Sequence, residues 1–223
     1  MKKLILLLLF IPLVSFGQIL NEDKTSYTEV VEVDANKAEI QQQLLGAIAV
    51  MYKSAQDVIQ LNTEDKIIAK GNFEFNMIAG VVAGKNVIGS YRINNTLTLG
   101  IKDQKYRIQL NPYSMSYQGK EINPSVIPIF MTDDILPKPD WFKIQVEENT
   151  KAGIQMGQSK EKSERNAVKI ANKQGNYENY VENKKEWDRL INNIFSAVKT
   201  NASEPEEDDW WFKTHKPHTQ DHQ

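Results

Sequence analysis

Cysteine is absent from this 223-residue sequence. Thiol nucleophiles, zinc–thiolate sites and iron–sulfur clusters are therefore excluded, because each of them requires cysteine sulfur. Disulfide bonds are excluded as well, so the fold must be held together by its hydrophobic core. A hydrophobic content of 40% and a charged content of 25% are ordinary for a globular protein that has such a core.

Histidine is almost as scarce, since the sequence holds only His215, His218 and His222. Nucleophilic catalysis by a Ser–His or Cys–His pair needs a base held beside the nucleophile, and a terminal tail does not provide one. The three imidazoles have a spacing that suits a transition metal, and Asp221 would add an oxygen ligand. We favour a solvated tail, because nothing near Pro217 would fix the rings. We therefore assign no metal and no cofactor.

Neither sign of charge dominates the sequence. The formal net charge is −2, so no overall field favours nucleic acid or an anionic membrane. Residues 80–85 contain two glycines and a lysine, but three residues rather than four separate the glycines and Asn86 follows the lysine. This pattern is not a phosphate-binding loop. We expect no nucleic acid partner.

Long hydrophobic runs are lacking except at the N-terminus, where two lysines precede an apolar run over residues 4–14. Ser15 and Gly17 then occupy positions −3 and −1 of a small-x-small cleavage site. The run is too short for a membrane-spanning helix, which needs ~20 residues, and Pro12 interrupts it. No cysteine follows the site, which excludes a lipid anchor. The pattern predicts a signal peptide of residues 1–17, cleaved after Gly17, and a periplasmic or secreted mature protein.

Two long amphipathic helices are predicted from apolar residues at helical spacing. Asn36 and Glu39 resemble a capping box, and the helix that follows is expected to end near Ala55. The second helix covers about residues 177–198, where apolar side chains recur every three or four positions. Residues 159–173 are expected to be partly helical.

Strands are predicted where the hydrophobic pattern alternates with a period of two. Residues 26–33 are rich in β-branched and aromatic side chains, which is typical of a strand. Alternation over residues 66–117 predicts four more strands, with a short turn at residues 102–104. One apolar and one polar face are typical of an antiparallel sheet covered on one side. We therefore predict an α+β fold: a two-layer antiparallel sheet of about five strands with two long helices packed on one face.

The chain divides into a signal peptide, one domain and a tail. The predicted domain covers residues 25–200 and includes an excursion over residues 119–176. Prolines make the first part of this excursion irregular, and residues 151–176 hold six basic against two acidic groups. Residues 201–223 form an acidic, aromatic and histidine-containing tail without periodicity, which we expect to be mobile.

The tail offers two hypotheses of its own. Trp210, Trp211 and Phe212 are adjacent large aromatics in an acidic setting, which is typical of a docking peptide. Folding back onto the surface of the domain would hide the same apolar area and stays open as the alternative. The acidic residues 204–209 are also candidates to lie near the basic stretch 151–176, through ion pairs that are individually weak.

Three short phrases carry a resemblance to a known family. They are EVVEVD at residues 29–34, KSAQDVIQL at residues 53–61 and IIAKGNF at residues 67–73. Together they are similar to a family of exported bacterial proteins that is defined by a domain of unknown function with a TATA-binding-protein-like (TBP-like) fold. The resemblance covers mainly residues 25–118 and implies a sheet backed by helices. It implies no activity and no site residues, because function is carried by sites rather than by folds.

A non-catalytic binding module of the cell envelope is the function that we predict from these features. Its partner would be an unknown protein or another envelope component. The polar side chains of the strands would form the open face of the sheet and contact that partner. The candidate contact residues are Lys70, Asn72, Glu74, Thr96, Thr98, Arg107 and Gln109.

A carboxylate-based hydrolase of the envelope is the alternative. Two carboxyl groups about 5–9 Å apart in a deep pocket are the arrangement that such chemistry needs. Asp133 and Asp134 are the strongest pair, because they lie among aromatic residues of the proline-rich segment. We assign no catalytic residue, since adjacent carboxylates are usually solvated. The carboxylate pairs are Glu29/Glu32, Asp133/Asp134 and Glu147/Glu148.

Overall fold

The computed structural model describes residues 18–52, 54–82, 85–122, 127–173 and 175–203. The predicted signal peptide and most of the predicted tail lie outside these ranges. Within them, no helix is both long enough and apolar enough to cross a membrane. The strands are β1 (Ile19–Leu20), β2 (Tyr27–Glu32), β3 (Ile59–Thr63), β4 (Lys66–Val82), β5 (Lys85–Lys102), β6 (Lys105–Tyr117) and β7 (Lys120–Ile122). The helices are α1 (Lys37–Met51), α2 (Ala55–Val58), α3 (Ile127–Phe130), α4 (Lys138–Gln155), α5 (Lys160–Ala171) and α6 (Asn176–Ser203).

The strands form one antiparallel sheet in the order β1-β2-β6-β5-β4-β3, and β7 pairs with β6. Within the described residues, seven strands replace the predicted five, because β1, β3 and β7 are too short or too irregular to show alternation. Two predicted strands on either side of Pro112 are in fact one strand, β6. The register of β6 against β5 shifts between Asn94 and Asn95, so that Tyr113 is an extra residue in the strand. Such a bulge hides the continuity of a strand from periodicity.

The capping box that opens α1 is confirmed. The Asn36 side chain accepts hydrogen bonds from the backbone N–H groups of Ala38 and Glu39 at 3.0 and 3.1 Å, and the Asn36 N–H donates to Glu39 Oε2 at 2.9 Å. The helix ends at Met51 rather than near Ala55, and α2 is a separate short turn. Helix α1 buries its apolar stripe against the sheet and against α6.

Helix α6 crosses the same face of the sheet. Near its start, Asn183 contacts the outer edge of β4: its Oδ1 accepts from the Ile78 N–H at 2.7 Å and its Nδ2 donates to the Ile78 carbonyl at 3.1 Å. At its middle, Trp187 is completely buried and packs edge-on against Phe75, with 5.4 Å between ring centroids. Near its end, Lys199 Nζ lies 2.8 Å from Glu29 Oε1 on β2. The helix therefore extends from one end of the sheet to the other.

The first part of the excursion, residues 119–141, was predicted to be irregular, but it contains β7, α3 and the start of α4. Helix α4 begins after Pro137, and Pro139 lies in its first turn, where proline removes no helical hydrogen bond. Helix α5 is capped by Ser159, which confirms the expected helicity there. The two helices pack closely at Gly153, where an added Cβ would lie 2.6 Å from Ser163 Oγ.

Candidate binding site

The open face of the sheet is a direct result of the alternation within each strand. In β4 and β5 the residues opposite one another share a face, so Lys70 faces the same side as Thr96. Between β5 and β6, Thr98 lies opposite Gln109, and Gly100 lies opposite Arg107. All seven residues that were predicted from the sequence share this face. They are Lys70, Asn72, Glu74, Thr96, Thr98, Arg107 and Gln109.

The seven residues do not form one cluster. Thr96, Thr98 and Gln109 lie in the centre of the face, where Gln109 Nε2 donates to Ser26 Oγ at 3.2 Å. Asn72 and Glu74 lie farther along β4, where the Glu74 carboxylate accepts a hydrogen bond from the Ser90 hydroxyl. Lys70, the central residues and Arg107 therefore belong to one half of the face, and the other two belong to the opposite half.

A group of cations occupies one end of the open face, and we call it the basic end. It consists of Lys66 at the start of β4, Lys102 and Lys105 on either side of the β5–β6 turn, and Arg107. Lys102 and Lys105 lie directly opposite each other in the sheet, and Lys66 and Arg107 both lie opposite Gly100. Only Arg107 was predicted, because the other three become neighbours only when the register of three strands is known.

A concavity of about 560 Å³ lies at the basic end, and all four cations line it. Gly100 forms part of its floor, since the absence of a side chain leaves room between Lys66 and Arg107. Asp65 at the rim forms an ion pair with Lys37 of α1, and Lys37 also forms an ion pair with Glu64. Among the described residues, none of the four cations forms an ion pair.

In two of the carboxylate pairs, the carboxyl groups lie on different faces of the sheet or are engaged in ion pairs. Glu29 lies on the covered face and is buried, whereas Glu32 is exposed on the open face of the same strand. Glu147 and Glu148 both form ion pairs with Lys151, at 2.9 and 2.8 Å, on the solvent side of α4. Hydrogen bonding to Lys151 also lowers the pKa of Glu147.

The third pair has a partner that the sequence did not indicate. Asp133 and Asp188 of α6 line a cavity of about 290 Å³ together with Tyr27. Burial raises the pKa of Asp188, the charge of Asp134 adds to the rise, and a hydrogen bond from Lys184 opposes it. The Lys184 side chain is completely buried and forms an ion pair with Asp188. The Asp188 carboxylate thus has a structural role, because it compensates the charge of a buried lysine.

In the part of the chain that the structure describes, no three His, Cys, Asp or Glu side chains are grouped closely enough to hold a metal ion. The weak metal candidate, His215, His218 and His222, lies outside the described residues, and so do the docking candidates Trp210, Trp211 and Phe212.

Comparison with known proteins gives the fold. No protein-family model matches the sequence, and no curated protein matches it. The chain is similar to the crystal structure of a DUF4468 family protein from Bacteroides ovatus, with 13% identity over 87% of this chain and 95% of the other and a TM-score of 0.52. A TBP-like protein from Parabacteroides distasonis is also similar, with 13% identity over 83% and 97% of the two chains and a TM-score of 0.49. The α+β fold predicted from the sequence is confirmed. At such identity the likeness concerns the fold and transfers no ligand or activity.

Proposed function

We propose that this protein is a non-catalytic binding module of the cell envelope, and that its basic end binds an acidic segment of a partner protein. The observation that carries the proposal is the set Lys66, Lys102, Lys105 and Arg107 around one concavity, on the face of the sheet opposite to α1 and α6. The four cations outnumber two nearby carboxylates, Asp65 at the rim and Glu32 opposite Lys105. An anionic ligand would be steered to this patch and would reduce the repulsion among its cations.

The centre of the open face suits a polypeptide better than a nucleic acid. Thr96, Thr98 and Gln109 offer hydroxyl and amide groups next to the basic end, and such groups bind to main-chain atoms of a peptide. Single-stranded nucleic acid would need exposed aromatic rings beside the cations for base stacking. Tyr106, the aromatic residue at the concavity, is 3% exposed and packs in the core.

An extracytoplasmic location forms part of the proposal and is supported by the N-terminal pattern of lysines, apolar run and small residues. Cleavage after Gly17 would leave Gln18 as the first residue of the mature protein. Mass spectrometry of the protein recovered from envelope or culture fractions tests this. A mature chain that starts at Met1 would contradict it.

Binding of a labelled oligoglutamate peptide, measured by fluorescence anisotropy, tests the role of the basic end. We expect the double variant K102Q/K105Q to lose about tenfold in affinity, because two charge contacts of up to ~1 kcal/mol each are removed. The matched control is K160Q/K162Q, which removes the same charge from exposed positions of α5. Equal losses in the two variants, or no binding by the unmodified protein, would contradict the proposal.

The hydrolase alternative is favoured by one observation, the placement of Asp133 and Asp188 in the same cavity as Tyr27. A panel of chromogenic ester and glycoside substrates would test it at low pH, where one carboxyl group can act as an acid. Turnover that is lost in D133N but kept in the α5 control K160Q/K162Q would favour the hydrolase over the binding module.

A further inference from the structure

We propose that the acidic residues 204–209 of this same chain occupy the basic end in the free protein and compete there with the partner. The inference rests on the proposed function of that surface. Five of these six residues are acidic, and they directly follow the last described residue of α6. The C-terminal segment would thus be an internal mimic of the acidic ligand.

The course of α6 places the start of this segment beside the basic end. Lys199 is bound to Glu29, which lies opposite Ile108 of β6. Ala202, almost a full turn later, is still buried against the core. From Ile108 the strand β6 needs only three more residues to reach Lys105 at its start, a distance of about 10 Å. Helix α6 therefore ends at the end of the sheet that carries the β5–β6 turn.

The length of the acidic run matches the path around the end of the sheet. From the end of α6 on the covered face, the segment must travel about one helix diameter, roughly 10 Å, around the end of the sheet to reach the open face. Six extended residues span about 20 Å, which brings residues 204–209 to the concavity.

The basic stretch 151–176 is a poorer match for the same segment. It precedes α6, and α5 ends at Ala171, close to the first residue of that helix. Helix α6 has 28 residues and is about 42 Å long, so the basic stretch adjoins the opposite end of the helix. The acidic run is too short to cover that distance. The topology therefore favours the basic end over residues 151–176 as the surface that binds the acidic run.

Each ion pair on an exposed surface contributes only ~0–1 kcal/mol, but the tether supplies an effective concentration in the millimolar range. Docking is therefore weak, reversible and sensitive to salt. A partner with more acidic residues, or with additional contacts to Thr96 and Thr98, would displace the segment.

Carbodiimide cross-linking of the full-length mature protein tests the docking directly, since it joins carboxylates to lysine amines that are in contact. Trypsin releases the segment as the peptide between Lys199 and Lys213. We expect this peptide to be linked to Lys66, Lys102 or Lys105. Links to the α5 lysines, links only between two molecules in an isotope-mixed sample, or the absence of links would each overturn the inference.

A competition measurement gives an independent test on the full chain. The variant E204Q/E206Q/E207Q/D208N/D209N should bind oligoglutamate about tenfold more tightly than the unmodified chain, because the internal competitor is removed. The gain should disappear when K102Q/K105Q is added. An unchanged or lower affinity would overturn the inference but leave the proposed function intact if K102Q/K105Q alone still weakens binding. If neither chain binds oligoglutamate, the proposed function fails, whatever the cross-links show.

Discussion

The two faces of the sheet differ in what their side chains contribute, and strand β5 shows the difference within a few residues. Leu97 and Leu99 point to the helices and are completely buried, whereas Thr96 and Thr98 point to the open face and are half-exposed. One strand therefore supplies the core with one set of positions and the proposed binding surface with the other. Substitutions on the covered face should cost stability, and substitutions at the basic end should cost binding alone.

The largest contrast should come from neighbours on β5. Leu99→Ala removes a completely buried side chain and should lower the free energy of unfolding by about 2–5 kcal/mol. Thr98→Val keeps the branched shape on the open face and should change it by less than about 1 kcal/mol. Urea unfolding followed by circular dichroism measures both values. Similar costs for the two variants would show that the open face is covered in solution.

Alanine substitutions at two glycines, Gly71 and Gly46, should change stability in opposite directions. An alanine Cβ at Gly71 of β4 would overlap the Tyr52 ring, which packs on the covered face. Gly71→Ala should therefore cost about 1–3 kcal/mol through overpacking. At Gly46 in α1 an added Cβ meets no atom within 4 Å, and Gly46→Ala should stabilise the protein by about 0.5–1 kcal/mol. Thermal unfolding of both variants checks the opposite signs.

Two buried tyrosines on the covered face should respond differently to loss of the hydroxyl group. Tyr27 Oη accepts a hydrogen bond from Trp187 Nε1 at 2.9 Å, and Tyr27→Phe should cost about 1–3 kcal/mol because that donor is left without a partner. The buried Tyr52 hydroxyl has no partner among the described residues, so Tyr52→Phe should be neutral or stabilising. A loss of stability in Tyr52→Phe would contradict this.

Alkaline pH should produce a gradual loss of stability. Burial raises the pKa of Tyr27, Tyr52 and Tyr106 well above the ordinary value of 10.0. The folded state then holds protons that the unfolded state releases, so stability is constant below about pH 10 and falls as the pH rises above it. Urea midpoints between pH 9 and pH 11 measure the decline, since both values are within about 1 unit of the ordinary pKa. The decline should be shallower in Tyr52→Phe, which removes one of the three groups.

Periodicity and capping predicted the covered face of the molecule well. The Asn36 capping box, the long helix around Trp187 and the alternation in β4 and β5 all appear where the residues indicated them. Helix α4 was missed because Pro137 and Pro139 were read as breakers, although proline at a helix start is favourable. The apolar stripe of α4 is also weak, since it packs through few residues.

The basic end was beyond prediction from the sequence for a different reason. Alternation fixes the face to which a residue belongs, but it does not fix which residues of neighbouring strands lie opposite each other. Lys66, Lys102 and Lys105 each look like an ordinary residue beside a turn. The register of the strands shows that Lys66 and Arg107 flank Gly100, and that Lys102 lies opposite Lys105. Likewise, the sequence shows that Lys184 and Asp188 are four residues apart on one helix, but it does not show that the Lys184 side chain is buried.

The contact between Asn183 and Ile78 also affects how the protein behaves in a crowded compartment. Strand β3 covers the outer edge of β4 only from Lys66 to Ala69, and within the described residues no other strand pairs with that edge. An uncovered edge offers main-chain donors and acceptors to any second molecule and can start aggregation. The Asn183 amide occupies both groups of Ile78 and so imitates one residue of a neighbouring strand. It therefore prevents a second strand from pairing with β4 at Ile78.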